Sequence, residues 1–459
     1  MKKIVLKTLL IAAALGAALS SCTKENEDII KLYDFSIALS YPDDISPSEG
    51  VTITLRQTGG EGIFESLTNA SGIATFKIPA GVYEAICSYT QTSGEYFYIC
   101  NGIKSQVVVD ANSLPKAVIT MSVSTIDNSK SLIIKEIYNG GVMKDDNSAN
   151  FHFDKCIVLY NNGTSTLNLD NIAIGMAPQY NAEAGSNSTL YDNGGALVYE
   201  NEGFIPGING IWYFLGTLTI KPFGQVVVNV CGAIDNTQTV TNSVNYANPD
   251  YYCMYDPEYE GAGTNNSNKY YNNTSYYPTP AAVIPTSHYL KTVKVGQGNA
   301  WPFSVTSPAV FIYQTDGVTP KAHAEDTGNL WYAGTNATVS ACVKVPSEWI
   351  LDGVEVWNSD KITSSYKRLT AVIDAGHVNL TGKYGHSLYR NVDKELTEAL
   401  PENQGLLVYD YSLGYDGSTD PSGINAEASL KNGAHIVYKD TNNSSNDFHE
   451  RIKCSLRGE

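Results

Sequence analysis

The sequence predicts an all-β protein built from two β-sandwiches. Short apolar runs with a near-alternating pattern recur along the chain, and most end in Asn/Gly turns, as sandwich strands do. The chain has 31 tyrosines and only 17% charged residues, a composition that suits strands and polar turns better than long helices. With 459 residues, it is long enough for two or three domains.

Residues 1–21 have the layout of a secretory signal peptide. Three lysines precede an apolar run at residues 9–19, which is shorter than the about 20 residues that a membrane-spanning helix needs. Residues 19–22, Leu-Ser-Ser-Cys, resemble a bacterial lipobox, which implies cleavage before Cys22 and acylation of that cysteine. Ordinary signal cleavage is the alternative.

Residues 22–31 are predicted to form a lipid-anchored acidic tether. Their sequence Thr-Lys-Glu-Asn-Glu-Asp at positions 23–28 resembles the export signal that some gut Gram-negative lineages use for surface lipoproteins. The resemblance implies an outer-membrane, lipid-anchored protein exposed at the cell surface, and a plain solvated tether is the alternative. The formal net charge of −17 argues against a nucleic-acid partner, because such partners require clustered Lys and Arg.

Residues 32–126 are predicted to form a small β-sandwich, because seven short alternating runs follow one another at close spacing. Within them, residues 68–83 contain a turn glycine, an Ala-x-Phe strand and a Gly-x-Tyr strand start. This pattern resembles the prealbumin-like or carboxypeptidase-regulatory-like domain. The resemblance implies a structural or spacing role and no catalysis.

Cys87 and Cys100 flank a predicted hairpin. If Ser93-Gly94 forms a two-residue turn, the two cysteines face each other at a non-hydrogen-bonded position, where a disulfide is feasible in an exported protein. Two buried thiols are the alternative. An odd number of cysteines remains once Cys22 is acylated, so at least one is unpaired. Buried thiols are expected in the other apolar runs, at Cys156, Cys231 and Cys342.

Residues 130–459 are predicted to form a larger immunoglobulin-like sandwich with long loops. Its first three strands are expected at residues 133–138, 157–162 and 167–170, where each apolar run ends in a turn. These runs resemble the lamin-tail type of sandwich, although Val158 stands where that family usually has a glutamate. The departure weakens any role for a carboxylate there.

A wider resemblance covers most of residues 131–459. The segments KEIYNGG, CGAIDNTQ, EWILDGVEVW, HSLYRN and KDTNNSSNDF are similar, in this order, to an uncharacterised domain family of lipoproteins from gut Gram-negative bacteria. Members of that family often accompany TonB-dependent transport. The resemblance therefore implies a surface accessory protein and brings no established catalytic residues.

Residues 245–280 form a tyrosine-rich insertion without an alternating strand pattern. Tyrosines among Asn, Gly and Ser suit the binding of sugars, cyclic ligands or proteins, and a loop packed on its own tyrosines is the alternative. The candidate binding residues are Tyr251, Tyr252, Tyr255, Tyr259, Tyr270, Tyr271, Tyr276 and Tyr277.

The last strands close the second sandwich. Arg390 is expected to form a structural ion pair with Asp440 or Asp447. A calcium site formed by Asp440, Asn442, Ser444 and Asp447 is an alternative for the same loop, but the loop lacks the Gly and terminal Glu of an EF-hand. A capped turn is therefore predicted, with no bound metal.

Established catalytic motifs are not found in the sequence. It contains no phosphate-binding loop, dinucleotide fingerprint, His-Glu-x-x-His or G-x-S-x-G motif. His377 and His386 are the histidines most worth testing, but the spacing of Asp374, His377 and Ser387 fits no triad template. No catalytic residue or cofactor is predicted.

The sequence thus favours a non-enzymatic surface lipoprotein that binds a small molecule or glycan, or assists a TonB-dependent nutrient transporter. Two alternatives belong to other classes. One is an adhesin or cell-surface structural protein, and the other is a hydrolase with an unrecognised site.

Overall fold

The structure is a computed structural model in which β-strands dominate and helices are few and short, so the protein is all-β, as predicted. The chain divides into two compact units, residues 1–126 and 127–459. The signal peptide and Cys22 lie outside the described residues. The structure describes residues 30–42, 45–46, 49–58, 60–93, 96–127, 131–193, 195–259, 277–296, 303–334 and 341–457.

The first unit is a sandwich of two sheets around one apolar core. Strands β4, β1 and β7 form one sheet, and β3, β2, β5, β6 and β8 form the other, in these orders. Phe35 and Ile37 from one sheet meet Ile53 and Leu55 from the other in the core. The strands are β1 (Leu32–Ser40), β2 (Thr52–Gln57), β3 (Ile63–Leu67), β4 (Ile73–Pro79), β5 (Gly81–Ser93), β6 (Tyr96–Val109), β7 (Lys116–Thr120) and β8 (Ser122–Asp127).

The alternating pattern predicts most of these strands but misplaces some boundaries. It misses β3, which has no buried residue and therefore lacks the apolar alternation of a half-buried strand. It also divides β6 into two strands, whereas the backbone runs continuously from Tyr96 to Val109. Polar residues in the middle of β6 interrupt the alternating pattern, but pairing with β5 keeps the backbone extended through them.

The observed register of the β5–β6 hairpin differs from the one predicted for Cys87 and Cys100. Cys87 pairs with Gly102, and Cys100 pairs with Tyr89, because pairing ends at Ser93 and Tyr96 and not around a Ser93-Gly94 turn. The register is displaced by two residues, which makes Cys87 and Cys100 diagonal neighbours. Diagonal Cβ atoms lie up to about 7 Å apart, too far for a disulfide. Both are buried free thiols in the structure.

The second unit is built mainly from one twelve-stranded sheet. Its strands run in the order β25-β24-β21-β14-β16-β20-β19-β18-β12-β9-β26-β27. The strands of the unit are β9 (Leu132–Tyr138), β10 (Val142–Met143), β11 (Asn150–Phe151), β12 (Lys155–Asn161), β13 (Leu167–Leu169), β14 (Ile172–Met176), β15 (Phe204–Ile208), β16 (Gly210–Tyr213), β17 (Leu218–Ile220), β18 (Gln225–Cys231), β19 (Tyr252–Met254), β20 (Tyr289–Lys294), β21 (Ala309–Gln314), β22 (Leu330–Tyr332), β23 (Ala341–Pro346), β24 (Ile350–Asn358), β25 (Val378–Leu380), β26 (Ser387–Arg390) and β27 (Phe448–Arg451).

Short helices connect some of these strands. The α-helices are α1 (Pro320–Glu325), α2 (Lys394–Ala399), α3 (Ala426–Lys431) and α4 (Ser444–Asp447). One-turn to two-turn 3-10 helices occupy Gly185–Leu190, Asn236–Gln238, Thr286–His288, Thr327–Asn329, Ser347–Trp349, Ser359–Ser364 and Pro401–Asn403. Within the described residues, no helix has the length and apolar character needed to cross a membrane.

The large sheet folds back on itself, so that strands from its two ends pack together. Strand β24 contacts β9, and β25 contacts β27, although each pair is distant in the strand order. One core cluster contains Ile134 and Ile157 from one half of the sheet with Ile312 and Val354 from the other half. The sheet therefore encloses its own hydrophobic core and is sandwich-like, as expected from the alternating runs.

The predicted strands at the start of this unit are confirmed as β9, β12 and β13. β9 and β12 are buried along their whole length, because helices, loops or neighbouring strands cover both faces. The prediction for the tyrosine-rich insertion is wrong in one respect, since Tyr252–Met254 forms β19. This short strand pairs in parallel with both β18 and β20. Three residues are too few to show a period in the sequence.

Candidate functional site

A buried arginine joins the two ends of the large sheet. Arg390 on β26 donates from Nε to the carbonyl of Ile134 at 2.7 Å and pairs with Asp352 on β24. Its Nη1 lies 2.9 Å from Asp440 Oδ1 and 3.9 Å from Asp447 Oδ2. The predicted ion pair of Arg390 is therefore confirmed, and it includes a third carboxylate, Asp352, that the sequence did not indicate.

The loop after Asp440 is a capped turn. The Asp447 carboxylate accepts hydrogen bonds from Thr441 N at 2.7 Å and Thr441 Oγ1 at 2.8 Å, and Asn443 caps α4 through Ser445 N. These bonds occupy both carboxylate oxygens of Asp447, one of the four residues of the possible calcium site. Among the described residues, no group of three or more His, Cys, Asp or Glu side chains is arranged to hold a metal ion.

A cleft with a volume of about 460 Å³ opens in the second unit. Its walls come from six separate parts of the second unit, which the folded sheet brings together. The lining residues are Gly140, Asn150, Val305, Thr306, Asn358, Asp360, Thr381, Gly382, Lys383, Tyr384, His386 and Tyr415. We refer to it as the β25–β26 cleft, since the segment 381–386 between these strands contributes more lining residues than any other part of the chain.

Backbone hydrogen bonds hold two walls of the β25–β26 cleft together. Lys383 N donates to Gly140 O, and Gly385 N donates to Gly141 O, both at 2.9 Å. Lys383 and Gly385 both have a φ of 78°, so this turn takes a left-handed path at two positions. A Cβ at Gly140 would lie 3.2 Å from Gly382 Cα, which shows how closely the two backbones approach.

His386 and Glu450 form a buried polar pair at this cleft. His386 Nδ1 lies 2.8 Å from Glu450 Oε1, and both residues are almost fully buried. Glu450 also accepts from Thr381 N at 2.7 Å and from Thr381 Oγ1 at 3.2 Å. The carboxylate therefore fixes both the imidazole and the first residue of the 381–385 turn.

Two tyrosines flank the imidazole. The ring centroid of His386 lies 5.8 Å from that of Tyr384 and 4.3 Å from that of Tyr415. Tyr384 is 63% exposed, although it is one of the larger aromatic side chains of the unit. Tyr415 is fixed by its backbone, which donates to Glu450 O at 3.1 Å. An exposed aromatic ring at the rim of a polar cleft is a surface on which a ligand can stack.

Polar groups with hydrogen-bonding capacity face the same cleft. The side-chain oxygen of Asn150 is buried and accepts no hydrogen bond from any residue that the structure describes. Asp360 is exposed, and its backbone nitrogen is capped by Asn358 Oδ1 at 3.0 Å. The Asn150 oxygen has almost no accessible surface, so the exposed Asp360 carboxylate is the acceptor that a ligand in the cleft can reach.

The three residues of the possible triad do not converge. Asp374 accepts from Ser444 Oγ and Glu355 N, at 2.8 Å and 2.7 Å. The ring of His377 stacks on Trp357, with centroids 3.7 Å apart, and Ser387 Oγ donates to a backbone carbonyl. Each side chain has a structural partner of its own, which agrees with the rejection of a triad from the spacing.

The described tyrosines of the insertion serve mainly in packing. Tyr277 is 2% exposed and lies against Trp212, so its ring is not available to a ligand. Tyr252 stacks on His288, and Tyr255 stands edge-on to Tyr289. Tyr251 and Tyr259 are half-buried against apolar clusters. A binding role for Tyr270, Tyr271 and Tyr276 stays a prediction, since these lie outside the described residues.

The predicted buried thiols are confirmed. Cys156, Cys231 and Cys342 are each at most 1% exposed and are free in the structure. Burial raises the pKa of Cys231 to about 11, although the ammonium of Lys155 acts in the opposite direction. At this pKa the Cys231 thiol is protonated at neutral pH.

The comparison with known proteins adds a family match for part of the chain. Residues 221–410 match the family described as protein of unknown function (DUF4876). The match includes the 381–386 segment of the β25–β26 cleft but not Asn150, Tyr415 or Glu450. It agrees with the expected resemblance to an uncharacterised family. No curated protein sequence matches this chain.

One solved structure resembles the whole fold. It is the crystal structure of a DUF4876 family protein from Bacteroides thetaiotaomicron, with 17% sequence identity and a TM-score of 0.51. The alignment covers 93% of this chain and 97% of that one. At this identity the similarity concerns the fold alone.

Sequence reasoning found only part of the cleft. His386 stood out as a histidine beside a strand, and Gly140 and Gly141 stood out as turn glycines. Tyr384 had a local signal that was not used, since the sequence Thr-Gly-Lys-Tyr-Gly places a large aromatic ring in a glycine turn. Asn150, Asp360, Tyr415 and Glu450 lie far apart in the chain and offer no shared motif.

Proposed function

We propose that this protein is a surface-exposed, lipid-anchored binding protein of the outer membrane that captures a carbohydrate in the β25–β26 cleft. The observation that carries the binding role is the cleft itself, with the exposed Tyr384 ring beside buried and exposed hydrogen-bonding groups. Its volume of about 460 Å³ falls within the range of ligand sites, roughly 300–1,000 Å³. Nutrient delivery to a TonB-dependent transporter is the proposed purpose of this capture.

The chemistry of the lining favours a hydroxyl-rich ligand. A sugar ring has an apolar C–H face that stacks on an aromatic ring such as Tyr384, and hydroxyl groups at its edge. The Asp360 carboxylate can accept hydrogen bonds from these hydroxyls, while Lys383 can donate to them. A purely apolar ligand would leave these groups unsatisfied.

The localisation part of the proposal is supported by the signal-like N-terminus, Cys22 and the acidic tether of the sequence. In this proposal, the first unit is a prealbumin-like spacer, and the second is a lamin-tail-type sandwich that presents the cleft. An adhesin would share the anchor and both sandwiches. It would differ in binding a polymer without any effect on uptake.

The test begins with the full-length protein purified in detergent from native outer membranes. A glycan microarray screened with this protein should show binding to a restricted set of oligosaccharides, confirmed by calorimetry. Co-purification should identify a TonB-dependent transporter, and deletion of the gene should slow growth on the bound glycan. Absence of binding on the array would refute the carbohydrate proposal. Binding without any transporter or growth defect would favour the adhesin.

A hydrolase is the second candidate, because His386 and Glu450 form a pair at the cleft. A carboxylate that accepts the Nδ1 proton leaves Nε2 as the basic nitrogen, the arrangement of many general bases. Incubation of the bound oligosaccharide with the protein distinguishes the two functions. Product release that is lost in His386→Gln would support the hydrolase, whereas an intact glycan would support simple binding.

A further inference from the structure

Two buried cysteines come together where the C-terminal segment crosses the large sheet. Cys156 lies on β12, and Cys454 follows β27, and both are fully buried. They belong to the same apolar cluster, together with Val158, Val227 and Tyr246. The thiol of Cys454 is within hydrogen-bonding reach of the Cys156 sulfur. About 300 residues of chain separate these two cysteines.

The backbone around Cys454 is held by its neighbours. Ser455 N donates to Glu136 Oε1 at 2.9 Å, and Ser455 Oγ donates to the other oxygen of that carboxylate. Glu136 lies on β9 opposite Val158 of β12, two residues from Cys156. Arg457 donates to Asn242 at 3.2 Å on the other side. The segment is thus fixed over the face of β9 and β12 that carries Cys156.

The surroundings of this pair differ from those of the other cysteines. Cys87 and Cys100 are diagonal neighbours across β5 and β6, with strand geometry that keeps their Cβ atoms apart. Cys231 donates its thiol hydrogen to Phe153 O at 3.2 Å. Cys156 and Cys454 instead share one buried apolar cluster, on segments whose positions are set independently. This placement brings the two thiols to one site, as a disulfide requires.

We propose that Cys156 and Cys454 form a disulfide that fastens the C-terminal segment to β12 in the exported protein. The proposal rests on the export that is part of the proposed function, because disulfides persist in oxidising compartments. It does not depend on the ligand of the cleft. Closure of so long a loop restricts the unfolded chain strongly, so the bond would stabilise the second unit.

The bond forms by thiol–disulfide exchange with a disulfide-bearing oxidant of the cell envelope. One cysteine thiolate attacks a sulfur of the oxidant, and the other sulfur of the oxidant leaves as a thiol after taking a proton. The second cysteine thiolate then attacks the mixed disulfide, forming the Cys156–Cys454 bond and releasing the second oxidant thiol. The two cysteines lose two protons and two electrons in total, and the oxidant gains them.

Exchange must take place before the C-terminal segment docks fully. Burial raises the pKa of the Cys454 thiol well above its ordinary value, so little reactive thiolate exists once the segment is packed. Both cysteines are accessible in the incompletely folded chain, where the oxidant can reach them. The finished bond is then shielded from reductants by the surrounding apolar cluster.

Mass spectrometry on the full chain tests the proposal. The protein is purified from native membranes without reductant, alkylated under denaturing conditions and digested. We expect a linked pair of peptides that contain Cys156 and Cys454, which separates on reduction, while Cys231 and Cys253 are alkylated. Quantitative alkylation of both Cys156 and Cys454 would overturn the proposal, as would a linkage of either cysteine to another partner.

A stability measurement gives a second test that uses the same protein. The chain is first reduced under denaturing conditions and refolded with reductant, and its Tm should then lie about 5 °C or more below that of the oxidised chain, because the cross-link restrains a long loop. The Tm of Cys454→Ala should not change on reduction, whereas the Tm of Cys87→Ala should fall as that of the unmodified chain does. An equal Tm with and without reductant would contradict the proposal even if Cys454→Ala fails to fold. A defect in glycan binding would leave both results unchanged.

Discussion

Nδ1 of His386 lies 2.8 Å from Oε1 of Glu450, and the imidazole stands between the rings of Tyr384 and Tyr415. This contact joins the residue that precedes β26 to Glu450 on β27, and His386 lines the β25–β26 cleft. Because Glu450 also holds Thr381, the carboxylate orders the turn that carries Tyr384. The His386–Glu450 pair and the exposed Tyr384 ring are thus connected through one turn, and each can be tested by its own substitution.

Tyr384→Ala should weaken glycan binding by roughly two- to tenfold without loss of stability. The ring is 63% exposed, so its removal costs little burial, whereas a stacked sugar would lose an aromatic contact worth about 0.5–1.5 kcal/mol. Calorimetry with the oligosaccharide identified on the array measures the effect. Tyr409→Ala is the matched control, since Tyr409 is 55% exposed and does not line the cleft. Equal affinities of both variants would remove Tyr384 from the site.

Glu450→Ala should lower the free energy of unfolding by about 2–4 kcal/mol, because His386 and Thr381 both lose a buried acceptor. Glu450→Gln keeps an acceptor oxygen and should cost less. Urea denaturation measures both. Glu398, whose side chain is 38% exposed beside Lys394, offers a control, and its replacement by alanine should cost less than about 0.5 kcal/mol. Similar losses of unfolding free energy for Glu450→Ala and Glu398→Ala would contradict a stabilising role of the His386–Glu450 pair.

Arg390→Met should destabilise the second unit by about 3–5 kcal/mol. The substitution leaves the buried carboxylate of Asp352 and its neighbour Asp447 without their cation. Denaturant unfolding followed by intrinsic fluorescence checks this expectation. Lys321→Ala removes an exposed i,i+4 pair with Glu325 and should change stability by less than about 0.5 kcal/mol. A loss below about 1 kcal/mol for Arg390→Met would show that the two sheet ends do not depend on this residue.

The buried carboxyl of Asp154 should make the free energy of unfolding depend on pH. Burial raises the pKa of this carboxyl to about 6, although Tyr138 donates to it at 2.7 Å. Between pH 4 and pH 6 the native state therefore binds more protons than the unfolded state at this site, so its contribution to stability falls as pH rises. The loss amounts to about 2–3 kcal/mol by pH 7.

The histidine at 449 acts in the opposite direction over a similar window. Burial lowers its pKa to about 3, so the native state binds fewer protons below pH 6.5, and stability rises with pH. Asp154→Asn separates the two effects, since it removes only the first. We expect the stability of this variant to rise more steeply from pH 4 to pH 6 than that of the unmodified chain. Parallel pH profiles from urea denaturation would contradict the raised pKa of Asp154.

Gly210 and Gly216 should respond differently to alanine, although both have positive φ. A Cβ at Gly210 would lie 2.0 Å from the backbone oxygen of Val293, whereas a Cβ at Gly216 meets nothing within 4 Å. Gly216→Ala should cost about 1–2 kcal/mol from the left-handed backbone alone. Gly210→Ala must also move β20 and should cost several kcal/mol or prevent folding, as measured by urea denaturation and expression of soluble protein. Equal costs would mean that β16 and β20 can separate easily.

Much of the fold could be predicted from the sequence, because local alternation records which side of a strand is buried. Strands β1, β2 and β4 follow this rule. Strands β9 and β12 are buried on both faces and were predicted from apolar runs that end in turns. The ion pair of Arg390 was predicted because its partners lie in a polar turn close to the last strand. Alternation fails for β3, which has no buried residue, and for β19, which has only three residues.

The sequence by itself determined the all-β class, the order of most strands and the positions of turns, since these depend on neighbours in the chain. Only the tertiary structure decided that Cys87 faces Gly102, that Tyr277 packs against Trp212, and that Cys156 meets Cys454. The β25–β26 cleft belongs to the second group. Its lining comes from segments as distant as Asn150 and Tyr415, and their meeting depends on which strand edges pair and how the sheet folds back on itself, which no local pattern encodes.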